Sequence, residues 1–106
     1  MKTYEFVYDK RLQISIPRLH QAWEKYNEVE RAEILDKWEM MRGRIPDQIK
    51  SFEAVINRKQ GELNEEDNFK QSCAINSQIS EYASRINDLN LWYRLNQDFS
   101  ADKSHQ

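Results

Sequence analysis

The sequence predicts an all-α protein: an antiparallel helical hairpin completed to a three-helix bundle, with a long C-terminal helix and an N-terminal arm that is either extended or helical. Three observations carry this expectation. Only two glycines and two prolines occur among 106 residues rich in Glu, Lys, Arg, Gln, Leu and Ile, a composition that favours long helices over a turn-rich β fold. Trp38, Met41, Ile45, Ile49, Phe52, Ile56 and Leu63 stay on one helical arc when counted from Ile34. Ile75, Ile79, Tyr82, Ile86, Leu89 and Tyr93 recur at the spacing of a coiled-coil seam.

One helical domain, 1–106, is expected from this length, with an arm over 1–16 and a frayed polar tail over 99–106. In the arm, Tyr4, Phe6 and Tyr8 alternate with polar residues, and after Asp9-Lys10-Arg11 so do Leu12, Ile14 and Ile16. Period two in aromatic and β-branched residues is a strand pattern, which fits a short hairpin or an extended arm. Turn chemistry opposes a hairpin, because neither Gly nor Asn is there to supply a positive φ. Tyr4, Tyr8 and Leu12 would also share a helix face.

A first helix is predicted from near Pro17, where a proline suits the opening turn and Ser15 could cap it. Leu19, Trp23, Tyr26, Ile34, Leu35, Trp38 and Met41 would form its apolar face, against Glu and Lys elsewhere. Gly43 and Pro46 then allow two readings. They end one helix and start another, or they kink a single helix whose apolar stripe runs through unbroken. A reversal is predicted at residues 61–64, from Gly61 and from Asn64 ahead of Glu65-Glu66-Asp67.

The last helix should run from about Glu65 to about Asp98. It carries a second apolar arc, Leu91, Trp92, Leu95 and Phe99, which upstream holds Glu81, Ser84, Arg85 and Asp88. A helix with two apolar faces needs two partners. Trp92 and Tyr93 point about 100° apart and cannot enter one seam. Leu91, Trp92, Leu95 and Phe99 are therefore the predicted interface. A homodimer is the expected assembly, through an isologous contact of this patch, with another protein as the other occupant. The alternative cover for Trp92 is the arm, through Tyr4, Phe6 and Tyr8.

The chemistry-bearing residues read mostly as structural. His20 and Glu24 are four apart, but the only other histidine is His105 in the tail, and a transition-metal site wants three or four ligands. Cys73 is a lone cysteine, so no internal disulfide can form. It reads as a buried small side chain in a reducing, cytoplasmic setting. The net charge of −2 argues against a binder that neutralises many phosphates, although Arg42 and Arg44 flank the Gly43 corner. Asn87, Asn90 and Asn96 suggest side-chain hydrogen bonding or a register-setting position. No stretch approaches the length of a membrane span, and no signal-peptide pattern opens the chain. With no catalytic, cofactor or metal motif, the expected function is a protein–protein interaction or regulatory module. The alternatives are a helical enzyme or ligand-binding bundle whose groups converge only in three dimensions, or a weak RNA or DNA contact.

Overall fold

The computed structural model describes the backbone of residues 3–104 and the side chains of residues 3–95. Two strands open the chain, β1 (Tyr4–Asp9) and β2 (Ile14–Leu19), followed by a 3₁₀ turn at Trp23–Lys25. Three helices follow, α1 (Glu28–Arg42), α2 (Ile45–Glu65) and α3 (Phe69–Ser104). The all-α three-helix bundle is therefore corrected: a β-hairpin precedes the helices and supplies part of the core.

The strands pair antiparallel, with Phe6 opposite Pro17 and Val7 opposite Ile16. The loop between them closes without glycine. Gln13 takes φ 60°, its N–H donates to the Asp9 carbonyl at 2.7 Å, and the Asp9 carboxylate accepts from the Leu12 N–H at 2.8 Å. Those local bonds offset a left-handed residue that ordinarily costs roughly 1–2 kcal/mol. The helix expected from Pro17 does not exist. Pro17 sits inside β2, where its missing N–H does no harm if it faces away from the partner strand. The first α-helix begins eleven residues later, at Glu28. Asn27 caps it: its side chain accepts from the Glu30 N–H at 2.8 Å, and the Glu30 carboxylate accepts from the Asn27 N–H at 3.0 Å.

The Gly43 corner is a kink and not a reversal. Gly43 (φ −62°, ψ −18°) and Arg44 (φ −85°, ψ −15°) both keep right-handed helical dihedrals. The Gly43 N–H reaches Glu39 and the Gln48 N–H reaches Arg44, while Arg44 bonds the tighter Met41 carbonyl. Pro46 has no N–H to continue the ladder, so the helix is interrupted here while the backbone keeps its right-handed sense. Because the chain carries on in much the same sense, α1 cannot lie down beside α2 and α3 as a third bundle helix. It packs instead on the strands and meets α3 near its own end, through Trp38 on Trp92 (5.6 Å between rings) and Arg42 on Tyr93.

The true reversal comes at Glu66–Asn68, so α2 runs through both Gly61 and Asn64. Asn68 is the cap of α3, accepting from the Gln71 N–H at 3.1 Å. Asn64 does not cap a helix: α2 continues past it to Glu65, and Asn68 supplies the cap instead. The pairing is antiparallel along the seam, with Phe52 edge-on to Tyr82 and Lys59 bonded to Gln78.

Buried residues gather at one end. Leu12, Ile14, Trp38, Ile45, Phe52 and Leu89 form one cluster, and Tyr4, Tyr26 and Ile34 a second around the strands. Beyond Phe52 on α2 and before Leu89 on α3, no described residue is fully buried. Val55, Ile56, Leu63, Ile75 and Ile79 are only half-covered. The molecule is thus a packed head with a two-helix arm, 59 Å in its longest dimension.

Candidate interaction surfaces

The polar half of the second arc on α3 is occupied from within the chain. Arg11, at the tip of the hairpin loop, forks onto Glu81 (3.0 Å), Ser84 (2.7 Å) and Asp88 (2.6 Å). Three donors of one rigid guanidinium thus read three successive turns of one helix face. Arg85 adds a bond to Glu81 at 3.3 Å and stacks over Tyr82 at 4.6 Å. The Glu81 carboxyl is held below its ordinary range by the hydrogen bond from Arg11, then by that from Arg85. Arg11 is raised in return, first by Asp88 and then by Glu81.

The apolar half of the arc is only partly covered. Asp88, Leu91, Trp92 and Leu95 line a shallow hollow of about 300 Å³. Leu91 is 55 % exposed, and Leu95 is half-buried. Trp92 is half-buried too, because Trp38 of α1 stands edge-on against it and ties it to the core cluster. Its intramolecular cover therefore includes α1, a partner the sequence did not indicate. Phe99, the fourth predicted interface residue, falls outside the residues whose side chains are described, as do Asn96 and the 99–106 tail.

A larger cleft of about 640 Å³ lies between the strands and α1. Tyr4 and Phe6 of β1 form one wall and Lys37, Met40 and Met41 of α1 the other, with Glu5 and Ser15 at the rims. Met40 is 69 % exposed and Tyr8, further along β1, is 58 % exposed. The Lys37 ammonium lies 5.2 Å over the Tyr4 ring, and the Tyr4 hydroxyl donates to Glu33 at 3.0 Å. Apart from Glu5, Ser15 and Lys37, the lining of this cleft is apolar and aromatic.

The remaining sequence candidates separate. His20 lies at the end of β2 and bonds Glu5 at 2.8 Å, so it is not on a helix face with Glu24. Cys73 is exposed, which corrects its reading as a buried side chain. Arg42 is committed to the fold, donating to the Tyr93 carbonyl at 2.8 Å and stacking on that ring at 4.2 Å. Among the described residues, no three His, Cys, Asp or Glu side chains gather as a metal site, and no helix is long and apolar enough to cross a membrane. Sequence reasoning missed Arg11 and Tyr26. The Tyr26 phenol, 2 % exposed, donates to the Thr3 carbonyl and accepts from the His20 N–H at 3.3 Å, fastening both ends of the hairpin. Only the Asn27-x-x-Glu30 capping pattern, which ends the segment before α1, could have flagged a non-helical stretch there.

The sequence matches no protein-family model, and comparison with curated proteins and with solved structures returns no match.

Proposed function

We propose that this protein is a non-enzymatic interaction module that works as a homodimer and presents Leu91, Trp92 and Leu95 to a partner protein. The hollow beside Leu91 carries this reading. An exposed leucine, a half-buried leucine and a tryptophan anchored on Trp38 lie together on one rigid helix face. Tryptophan in a packed, partly desolvated setting is the residue type that dominates binding hot spots. Asp88 at the edge of the hollow already has Arg11 as counter-ion, so an apolar partner covering it buries no unpaired charge. A reducing compartment such as the cytoplasm suits a protein with one exposed thiol at Cys73.

The test compares wild type with Leu91→Glu/Leu95→Glu. Leu91 is exposed, so the variant should keep its helical circular dichroism, and Trp92 stays in place. The proteins retained by the immobilised wild-type chain from its native lysate should be lost with the variant. Identical retained sets would remove this patch from the reading. Sedimentation equilibrium of the wild type should show a dimer, and a monomer would remove the homodimer.

A further inference from the structure

The strands of this protein have two outer edges, and they are not alike. The His20 N–H donates to the Thr3 carbonyl at 2.9 Å, which makes that pair a hydrogen-bonded one. In an antiparallel ladder bonded pairs alternate, so Glu5, Val7 and Asp9 point their backbone groups toward β2. Phe6 and Tyr8 point theirs outward. On β2 the outward positions are Ser15, Pro17 and Leu19. Pro17 therefore removes the central outward N–H of β2, a known way to blunt a sheet edge. The edge of β1 carries no such device. Among the described residues, no backbone or side-chain group bonds the outward N–H and C=O of Phe6 or Tyr8.

The 640 Å³ cleft opens at this same edge. It is lined by Tyr4 and Phe6 from one face of β1 and by Glu5 from the other, with Ser15 alone from β2. We propose that β1 is the strand by which two copies of this chain pair, antiparallel about a twofold axis at Phe6, so that the Tyr8 of each copy enters the cleft of the other. The proposal rests on the homodimer reading above and assigns that dimer a surface other than Leu91–Leu95.

Register and charge select this pairing. Outward positions must face outward positions, so the axis passes through an even or an odd residue but never between two. With the axis at Phe6, Tyr4 faces Tyr8, Glu5 faces Val7, and Thr3 faces Asp9. With the axis at Val7, Glu5 faces Asp9 twice, and like charges directly opposite are destabilising. The Phe6 register places the exposed Tyr8 ring next to Tyr4 on the face it shares with Phe6. That position is the mouth of the cleft walled by Lys37, Met40 and Met41. Both copies gain the same contact, as an isologous interface requires. The product is a four-stranded sheet of order β2-β1-β1-β2, whose outer strands both carry the edge-blunting Pro17.

Tyr8→Pro tests this directly, because it copies the Pro17 device onto β1 and leaves the bonds to β2 intact. Tyr8→Lys, which keeps the N–H but places a charge at the edge, is the second variant in case proline disturbs the hairpin. Each change acts twice in the dimer, and we expect either variant to weaken it about a hundredfold by sedimentation equilibrium. Leu91→Glu/Leu95→Glu should leave the dimer constant unchanged. Amide exchange at Phe6 and Tyr8 should slow in wild type as concentration rises, and should not in Tyr8→Lys. A wild-type dimer that survives both Tyr8 variants but dissociates in Leu91→Glu/Leu95→Glu would overturn this proposal and leave the homodimer on α3. A wild-type dimer indifferent to all three variants would overturn it as well. A monomeric wild type would overturn both assemblies and leave only the partner-protein role of the α3 patch.

Discussion

The Arg11 guanidinium and the Asp88 carboxylate meet at 2.6 Å across 77 residues of sequence. This contact fastens the free end of a two-stranded hairpin onto the longest helix. The strand ends at the other side are fastened by Tyr26. Between them the two anchors hold the hairpin at its loop and at its open end.

Arg11→Ala should lower the thermal midpoint, with the gap to wild type narrowing as salt is added. The pairs are half-exposed, and ions screen them. Arg11→Lys should recover little, because an ammonium cannot fork onto three acceptors. A drop of the same size at every ionic strength would show that Arg11 acts by packing its stem, not by its charge.

Acid should loosen the same contact. Glu81 is held below its ordinary value of 4.5 by Arg11 and Arg85, so the unfolded chain binds its proton more readily than the folded one. Its contribution is complete above the unfolded value and fades as pH falls through the folded one. Urea midpoints measured from neutral pH down to about pH 3 should therefore fall more steeply for wild type than for Glu81→Gln. Parallel curves would exclude Glu81 from the acid response.

Gln13→Gly should stabilise the protein by about 0.5–1 kcal/mol, since glycine accepts φ 60° without the side-chain clash. The gain is smaller than the full strain because glycine also loosens the unfolded chain. Gln13→Asn should give part of it. Urea unfolding decides the matter, and a loss of stability with glycine would place the value of Gln13 in a side-chain contact.

Gly43 and Gly61 both lie in helical backbone. Added methyls would meet only carbonyl oxygens at 3.5 and 3.7 Å at Gly43, and nothing within 4 Å at Gly61. Each glycine-to-alanine change should raise stability by about 0.5–1 kcal/mol. Gly43→Ala is also the test of the kink. In a tight turn with positive φ the methyl would destabilise, and in the kinked helix it should not.

Part of this architecture was legible in the residues. Period two over Tyr4–Ile16 showed in the sequence, as did the phase of the stripe from Ile34 to Leu63 and the seam from Ile75 to Tyr93. Punctuation is where local pattern and fold part. Pro17 looked like a helix opener, and only strand pairing shows it as an edge residue facing away from β1. Gly61 and Asn64 looked like a stop and a cap, yet α2 continues past both to Glu65. Asn27 and Asn68 are the caps in fact, and Asn27-x-x-Glu30 was available to local inspection.

The candidate surfaces divide the same way. Two apolar arcs at the end of α3 were readable from residue spacing, because side-chain direction on a helix follows from spacing alone. Alternation also set Arg11 between two period-two segments, with an extended and a helical arm both open. It took the folded chain to bring Arg11 to Glu81, Ser84 and Asp88, to set Trp38 over part of Trp92, and to leave β1 an open edge beside a cleft. Periodicity reports which residues share a face, whereas the choice of what covers that face is made by contacts between elements far apart in the chain. Such contacts leave no local pattern to read.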